Sequence, residues 1–132
     1  METLSVKVIG GGTKNAFVQV TGFSSTEFHN DWIEVVTRPM LEKPFKNLHL
    51  DAVYHAIAEG LEVQLAWRSA EELQPIMPIA GRGRIDFSEA SGLQPTLQQP
   101  MESIVMRVLG TAKNPSPCLM LLIDLSLHQG AM

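Results

Sequence analysis

Alternation of apolar and polar side chains dominates this chain. In GLEVQLAWR, Leu61, Val63, Leu65 and Trp67 fall on one face, with Glu62, Gln64, Arg68 and small Ala66 on the other. A period of two over that length predicts a strand with one wet face, because a helix would scatter the four apolar residues around its circumference. The C-terminal run repeats the pattern: Leu119, Leu121, Ile123, Leu125 and Leu127 oppose Met120, Leu122, Asp124 and Ser126. The second face starts apolar and turns polar, which predicts one end of this strand covered on both sides. In SIVMRVLG, Ile104, Met106 and Val108 alternate with Ser103, Val105 and Arg107. The TAKNPSP between these last two runs is turn chemistry, so they read as a hairpin.

Shorter segments follow the same rule. DWIEVVTRP reads as a strand ended by Pro39, and RIDFS as one with Ile85 and Phe87 inward. LHLDAVYHAIAEG has two readings: a short helix capped by Asp51 and carrying Val53, Tyr54 and Ile57, or a strand turning tightly at Glu59-Gly60. The early arrival of Gly60 favours the strand. RSAEELQP holds at most one helical turn before Pro75, and SGLQPTLQQPM reads as an extended loop. No repeat or linker divides the chain. About seven or eight short strands predict one all-β domain over residues 1–132: an antiparallel sandwich or barrel, jelly-roll-like, with at most one short helix. Residues 1–4 are read as an extended arm.

VKVIGGGTKNAFVQV, Val6 to Val20, tests for a phosphate loop. Lys14 is neither preceded by Gly nor followed by Ser or Thr, and Asn15 takes the last glycine position of a dinucleotide fingerprint. The residues that follow alternate Phe17, Gln19 and Thr21 with Ala16, Val18 and Val20, a strand pattern. No helix N-terminus is offered to an anion, so the glycines read as a hairpin loop.

Composition narrows the chemistry. A chain of 132 residues with 45% apolar and 18% charged residues can bury its own core and is not a disordered segment. The net charge is −4 and the basic residues form no stripe, so no nucleic-acid partner is expected. Cys118 is the single cysteine; it reads as a small buried apolar residue and excludes an intrachain disulfide. CLMLLI is too short to cross a bilayer, and METLSVKV has neither leader nor anchor character, so folding in a cytoplasm is expected. His29, His49, His55 and His128 make no ligand-spaced pair. On one strand His49 and His55 would share a face about 20 Å apart. The carboxylates Asp51, Glu71, Glu72, Asp86, Glu89 and Asp124 show no pairing in the linear sequence, and no Gly-x-Ser-x-Gly elbow occurs. No metal or cofactor is expected. Trp32 and Trp67 read as core, and Met106 and Met120 as gap fillers. Arg82 and Arg84, separated by Gly83, point the same way on a strand. They suit a partner's carboxylates or a phosphate, or a solvated edge that discourages sheet pairing.

The segment LHLDAVYHAIAEGLEVQLAWRS, the following GRGRIDFSEASGL and the closing SIVMRVLG…LMLLIDLSL together resemble small β-rich uncharacterised proteins of tailed bacteriophages. The resemblance runs over roughly residues 48–127 and rests on structural motifs. The chain departs from it at TAKNPSP, where a Gly-Asp turn is usual, and at Arg68, where an Asp is common after the Trp. The resemblance implies a non-enzymatic virion protein, a capsid cement or decoration protein bound between major capsid protein subunits and to copies of itself. The contact groups chosen for exposure are Met1 and Leu4 in the arm, the edge Arg82 and Arg84, and the loop with Gln94, Pro95 and Pro100. The alternatives are a tail or neck adaptor, or a small β-barrel enzyme or ligand binder in which His49, Asp51 and His55 converge on a cavity.

Overall fold

The computed structural model describes residues 4–10, 14–22, 32–41, 47–87, 92–96, 101–110 and 119–128. They form nine strands and one short helix: β1 (Leu4–Gly10), β2 (Asn15–Gly22), β3 (Ile33–Thr37), α1 (Arg38–Leu41), β4 (Asn47–Ile57), β5 (Leu61–Arg68), β6 (Leu73–Ile79), β7 (Arg82–Asp86), β8 (Ser103–Gly110) and β9 (Leu119–His128). A five-stranded sheet runs β1-β2-β9-β4-β7 and a four-stranded sheet β3-β8-β5-β6. Every pairing is antiparallel. Only β1–β2 and β5–β6 are consecutive strands within one sheet; elsewhere the chain changes sheet at each connection. This is a jelly roll, with β2-β9-β4-β7 opposite β3-β8-β5-β6 and β1 added beyond β2. The expected all-β sandwich is therefore the observed fold.

The predicted inward faces are the buried faces, but the second face of β9 is not covered at its apolar end: Met120, expected as a gap filler, is exposed and Leu122 only half-buried. Leu61, Val63, Leu65 and Trp67 of β5 and Leu119, Leu121, Ile123, Leu125 and Leu127 of β9 are all buried. They meet Val18 and Val20 of β2, Leu50 and Val53 of β4 and Ile104 and Met106 of β8 in one core between the sheets. Removing these side chains from water in both sheets at once is what fixes the sandwich.

Four further expectations change. The hairpin expected between β8 and β9 does not form: β8 pairs with β3 and β5, and β9 with β2 and β4. The two strands present their apolar faces to the same core from opposite sheets, and residues 111–118, with Cys118, lie outside the described residues. The Glu59-Gly60 turn exists, with the Leu61 amide donating to the Ala58 carbonyl at 3.1 Å and Gly60 at φ 98°, but it carries the chain between sheets. At this corner Gly110 lies so close that a side-chain Cβ would meet the Gly60 carbonyl oxygen at 2.1 Å.

RSAEELQP makes no helical turn; it closes the β5–β6 hairpin, where the Ser69 amide donates to the Glu72 carbonyl at 2.9 Å. The extra strand, β6, carries Pro75 and Pro78, which are tolerated because β6 is an edge. The short helix instead follows β3, with Pro39 in its first turn, where a missing N–H leaves no bond unmade.

Within β4 a bulge lies between Leu50 and Ala52. It resets which residues face inward. Before it Leu48 and Leu50 oppose Leu127 and Leu125; after it Val53 and Ile57 oppose Ile123 and Leu119. His49 therefore sits across from outward Ser126 and His55 across from inward Leu121, so the two histidines do not share a face.

Candidate functional site

Side chains from both sheets fill the interior, with Trp67, Leu50, Leu65, Met106 and Ile123 fully buried. His49, Asp51 and His55 do not converge there. His55 stays at the rim, its Nδ1 3.0 Å from the Gly81 carbonyl oxygen. Three exterior regions gather polar or exposed side chains among the described residues.

The first is the outer face of the five-stranded sheet. The β4 bulge turns Asp51 toward β9, where the Ser126 hydroxyl donates to Asp51 Oδ1 at 3.1 Å. His128 Nε2 lies 3.2 Å from the same hydroxyl, and the His128 ring stacks on His49 with centroids 3.8 Å apart. Beside them Asp124 lies between Phe17 of β2 and Ala52 of β4. Burial, reinforced by the negative charges of Asp51 and Asp86, pushes the Asp124 carboxyl above its ordinary value, against an opposing pull from Arg84. Its Oδ1 is buried without a hydrogen-bond partner.

Gly92 roofs the cluster: a Cβ there would lie 2.6 Å from Asp51 Oδ1 and 2.8 Å from His49 Cβ, and its φ is 85°. The roof is tied down because Leu93 and Leu50 exchange two backbone bonds of 2.8 Å each. The Ser126 hydroxyl thus lies within hydrogen-bond distance of both a carboxylate and an imidazole. Among the described residues no three His, Cys, Asp or Glu side chains are grouped to hold a metal ion.

The second region is a cleft of about 210 Å³ on the outer face of the four-stranded sheet, lined by Trp32, Gln64, Leu65, Pro75, Met77, Pro78 and Arg107. The Arg107 guanidinium lies 4.6 Å from the Trp32 ring centroid. It is held there by Gln64 Oε1, which accepts from Nε at 3.1 Å and from Nη2. Gln64 Nε2 in turn donates to Glu62 at 3.0 Å. Cofactor pockets are usually larger, from about 300 Å³ upward, so this cleft has room for one partner side chain.

The third region is the set of sheet edges. β6 and β7 are joined only by Ala80 and Gly81, so their edges lie on one side of the sandwich. β6 carries Pro75 and Pro78, which cannot donate a ladder bond to an incoming strand. β7 is short and presents exposed Arg82 and Arg84 on its outer face, opposite Ala56 and Tyr54. Arg84 lies over the Tyr54 ring at 5.2 Å and bonds Asp86 at 2.7 Å. The opposite side carries β1 and β3. Neither contains a proline, and both expose apolar side chains: Val8 and Ile9 on β1, Ile33 on β3. Both are interrupted by bulges, β3 between Glu34 and Val36 and β1 between Val8 and Gly10, after a regular ladder to β2 from Leu4 to Val8.

The contact residues chosen from the sequence are not brought together. Arg82 and Arg84 share a face as expected, but at one edge of the sheet, while Leu4 opens β1 at the other. Leu4 pairs with Gly22, so it belongs to a strand and not to a free arm. Gln94 is exposed and Pro95 half-buried in the segment after Leu93. Met1 and Pro100 lie outside the described residues. The open edge at Val8 and Ile9 went unread. Its signal is a strand with a single charge, Lys7, and no proline.

No family model matches the chain. No curated protein matches it closely in sequence. Among solved structures, the crystal structure of FeII HppE aligns with a TM-score of 0.35 and 9% identity, over 96% of this chain and 52% of that one. The chain thus spans about half the length of that structure, and the likeness adds nothing to the fold described above.

Proposed function

We propose that this chain is a non-enzymatic structural protein of a bacteriophage virion, a capsid cement or decoration protein that stabilises the shell by binding between major capsid protein subunits. The observation that carries the reading is one side of the sandwich, where among the described residues β1 and β3 each have a strand neighbour on one side only and expose Val8, Ile9 and Ile33. An interior filled with side chains fits a part that acts through its surface. The Trp32–Arg107 cleft and the Arg82/Arg84 edge supply further small contacts. Each is weak alone, and a shell repeats them with its symmetry, so avidity makes the sum strong. On this reading the protein is made in the host bacterial cytoplasm and ends in the virion.

Mass spectrometry and cryo-imaging of purified particles test the proposal. The expected result is the chain present in many copies, with density at capsomer junctions, and shells without it breaking at lower temperature. Its absence from particles overturns the reading. Density at the tail or neck alone replaces it with an adaptor role.

A further inference from the structure

One row of side chains crosses the outer face of the four-stranded sheet. Gln64 of β5 lies opposite Arg107 of β8 on one side and Pro78 of β6 on the other, and Trp32, one residue before β3, lies against Arg107. An arginine has five N–H donors. Two of those on Arg107, from Nε and Nη2, go to Gln64 Oε1, and Glu62 holds that amide by accepting from Gln64 Nε2 at 3.0 Å. The other three, two on Nη1 and one on Nη2, make no bond among the described residues, and Arg107 has no ion pair there. A half-buried guanidinium without a carboxylate has lost part of its hydration, and its Nη1–Nη2 fork matches two oxygens. The rest of the cleft is apolar, formed by Trp32, Leu65, Pro75, Met77 and Pro78.

We propose that this cleft binds a small free monocarboxylic acid with a flat, ring-sized apolar body, its carboxylate on Nη1 and Nη2 of Arg107 and its body among Trp32, Met77 and the two prolines. Size, charge and polarity choose this occupant. A cavity of about 150 Å³ holds benzene, so the cleft's volume of about 210 Å³ holds a ring with a carboxylate. One guanidinium balances one negative charge, whereas a phosphate group would leave charge unmatched in an apolar cleft. A peptide chain end would bring an amide into the cleft as well. The one other polar side chain there, Gln64, already uses both ends of its own amide, so the newcomer's would go unpaired.

Heteronuclear NMR on the full chain, with phenylacetate as the probe, tests this. The expected result is a saturable shift of the Trp32 indole and Arg107 Nε signals with a Kd of about 1 mM, as suits a ligand of that size. The indole of Trp67, 1% exposed, should not move. Phenylacetamide keeps the body without the charge, and acetate the charge without the body; each should bind at least about tenfold more weakly. Arg107→Gln should weaken phenylacetate binding by about tenfold or more, with an unchanged Trp67 signal showing that the variant folds. No saturable shift with phenylacetate overturns the proposal, as does equal binding of acetate or the amide. N-acetylphenylalanine binding where phenylacetate does not overturns it in favour of a peptide chain end. No particle enters the measurement, so its failure leaves the virion reading where it stands.

Discussion

The two sides of the sandwich differ in how they end. On one, β6 and β7 are bonded to their sheets and closed to newcomers by Pro75, Pro78, Arg82 and Arg84. On the other, β1 and β3 stop with apolar side chains in water. The edges are not anchored alike: Val35 and Val36 of β3 lie in the core, and β7 has no buried residue. Ile79 of β6 is 3% exposed in the core, whereas on β1 Val6 is only half-buried and Val8 more open still. An edge strand can therefore be well anchored, as β3 and β6 are, or lightly held, as β1 and β7 are, and each side of the molecule carries one of each.

The largest expected effect probes the anchoring. Ile79→Ala should cost about 2–5 kcal/mol in urea unfolding, as a buried large-to-small change does. Val8→Ala should cost under about 1 kcal/mol, as surface changes usually do. Equal costs would erase the distinction. Next, Pro75→Val with Pro78→Val should restore ladder donors to β6. Dynamic light scattering should then show new oligomers, with little change in unfolding midpoint. If the double variant stays as monodisperse as the wild type, the prolines are not the guard.

A smaller effect is expected from Arg84→Ala. Its bond to Asp86 is exposed, so stability should move by at most about 1 kcal/mol in thermal melts. The smallest change lies between the two sides, on β9. Because the Asp124 carboxyl titrates above its usual value of 3.8, its charge costs stability when ionised. That cost is absent below the unfolded value and is felt as pH rises through the folded one. Asp124→Asn should therefore melt above the wild type at neutral pH, and the gap should close as pH falls below 3.8.

What the sequence revealed is which way side chains point. β2 and β9 alternate cleanly because each has one dry face, and β5 does so up to Leu65, where Ala66 is buried as well; the inward face could be read from Ala16, Leu61 or Leu119 onward. Alternation carries no information on which strand lies alongside. Two neighbouring runs with matching patterns, β8 and β9, look like a hairpin whether they share a sheet or face each other across the core. The β4 bulge was invisible for the same reason, since an extra residue exists only relative to a partner strand. β6 was hidden by its prolines, which are breakers in most contexts and guards at an edge. At the surface, the shared direction of Arg82 and Arg84 was legible, but the meeting of Asp51, Ser126 and His128 depends on cross-strand register.

The place of β9 bears on how the protein comes into being. It is the last of the described strands in chain order, yet it lies in the middle of its sheet, between β2 and β4. While the ribosome is still adding residues before Leu119, β2 and β4 have been made and lack the neighbour that joins them. Until that strand emerges β2 and β4 each carry an edge that β9 later covers, so the risk of mispairing persists until β9 has been made.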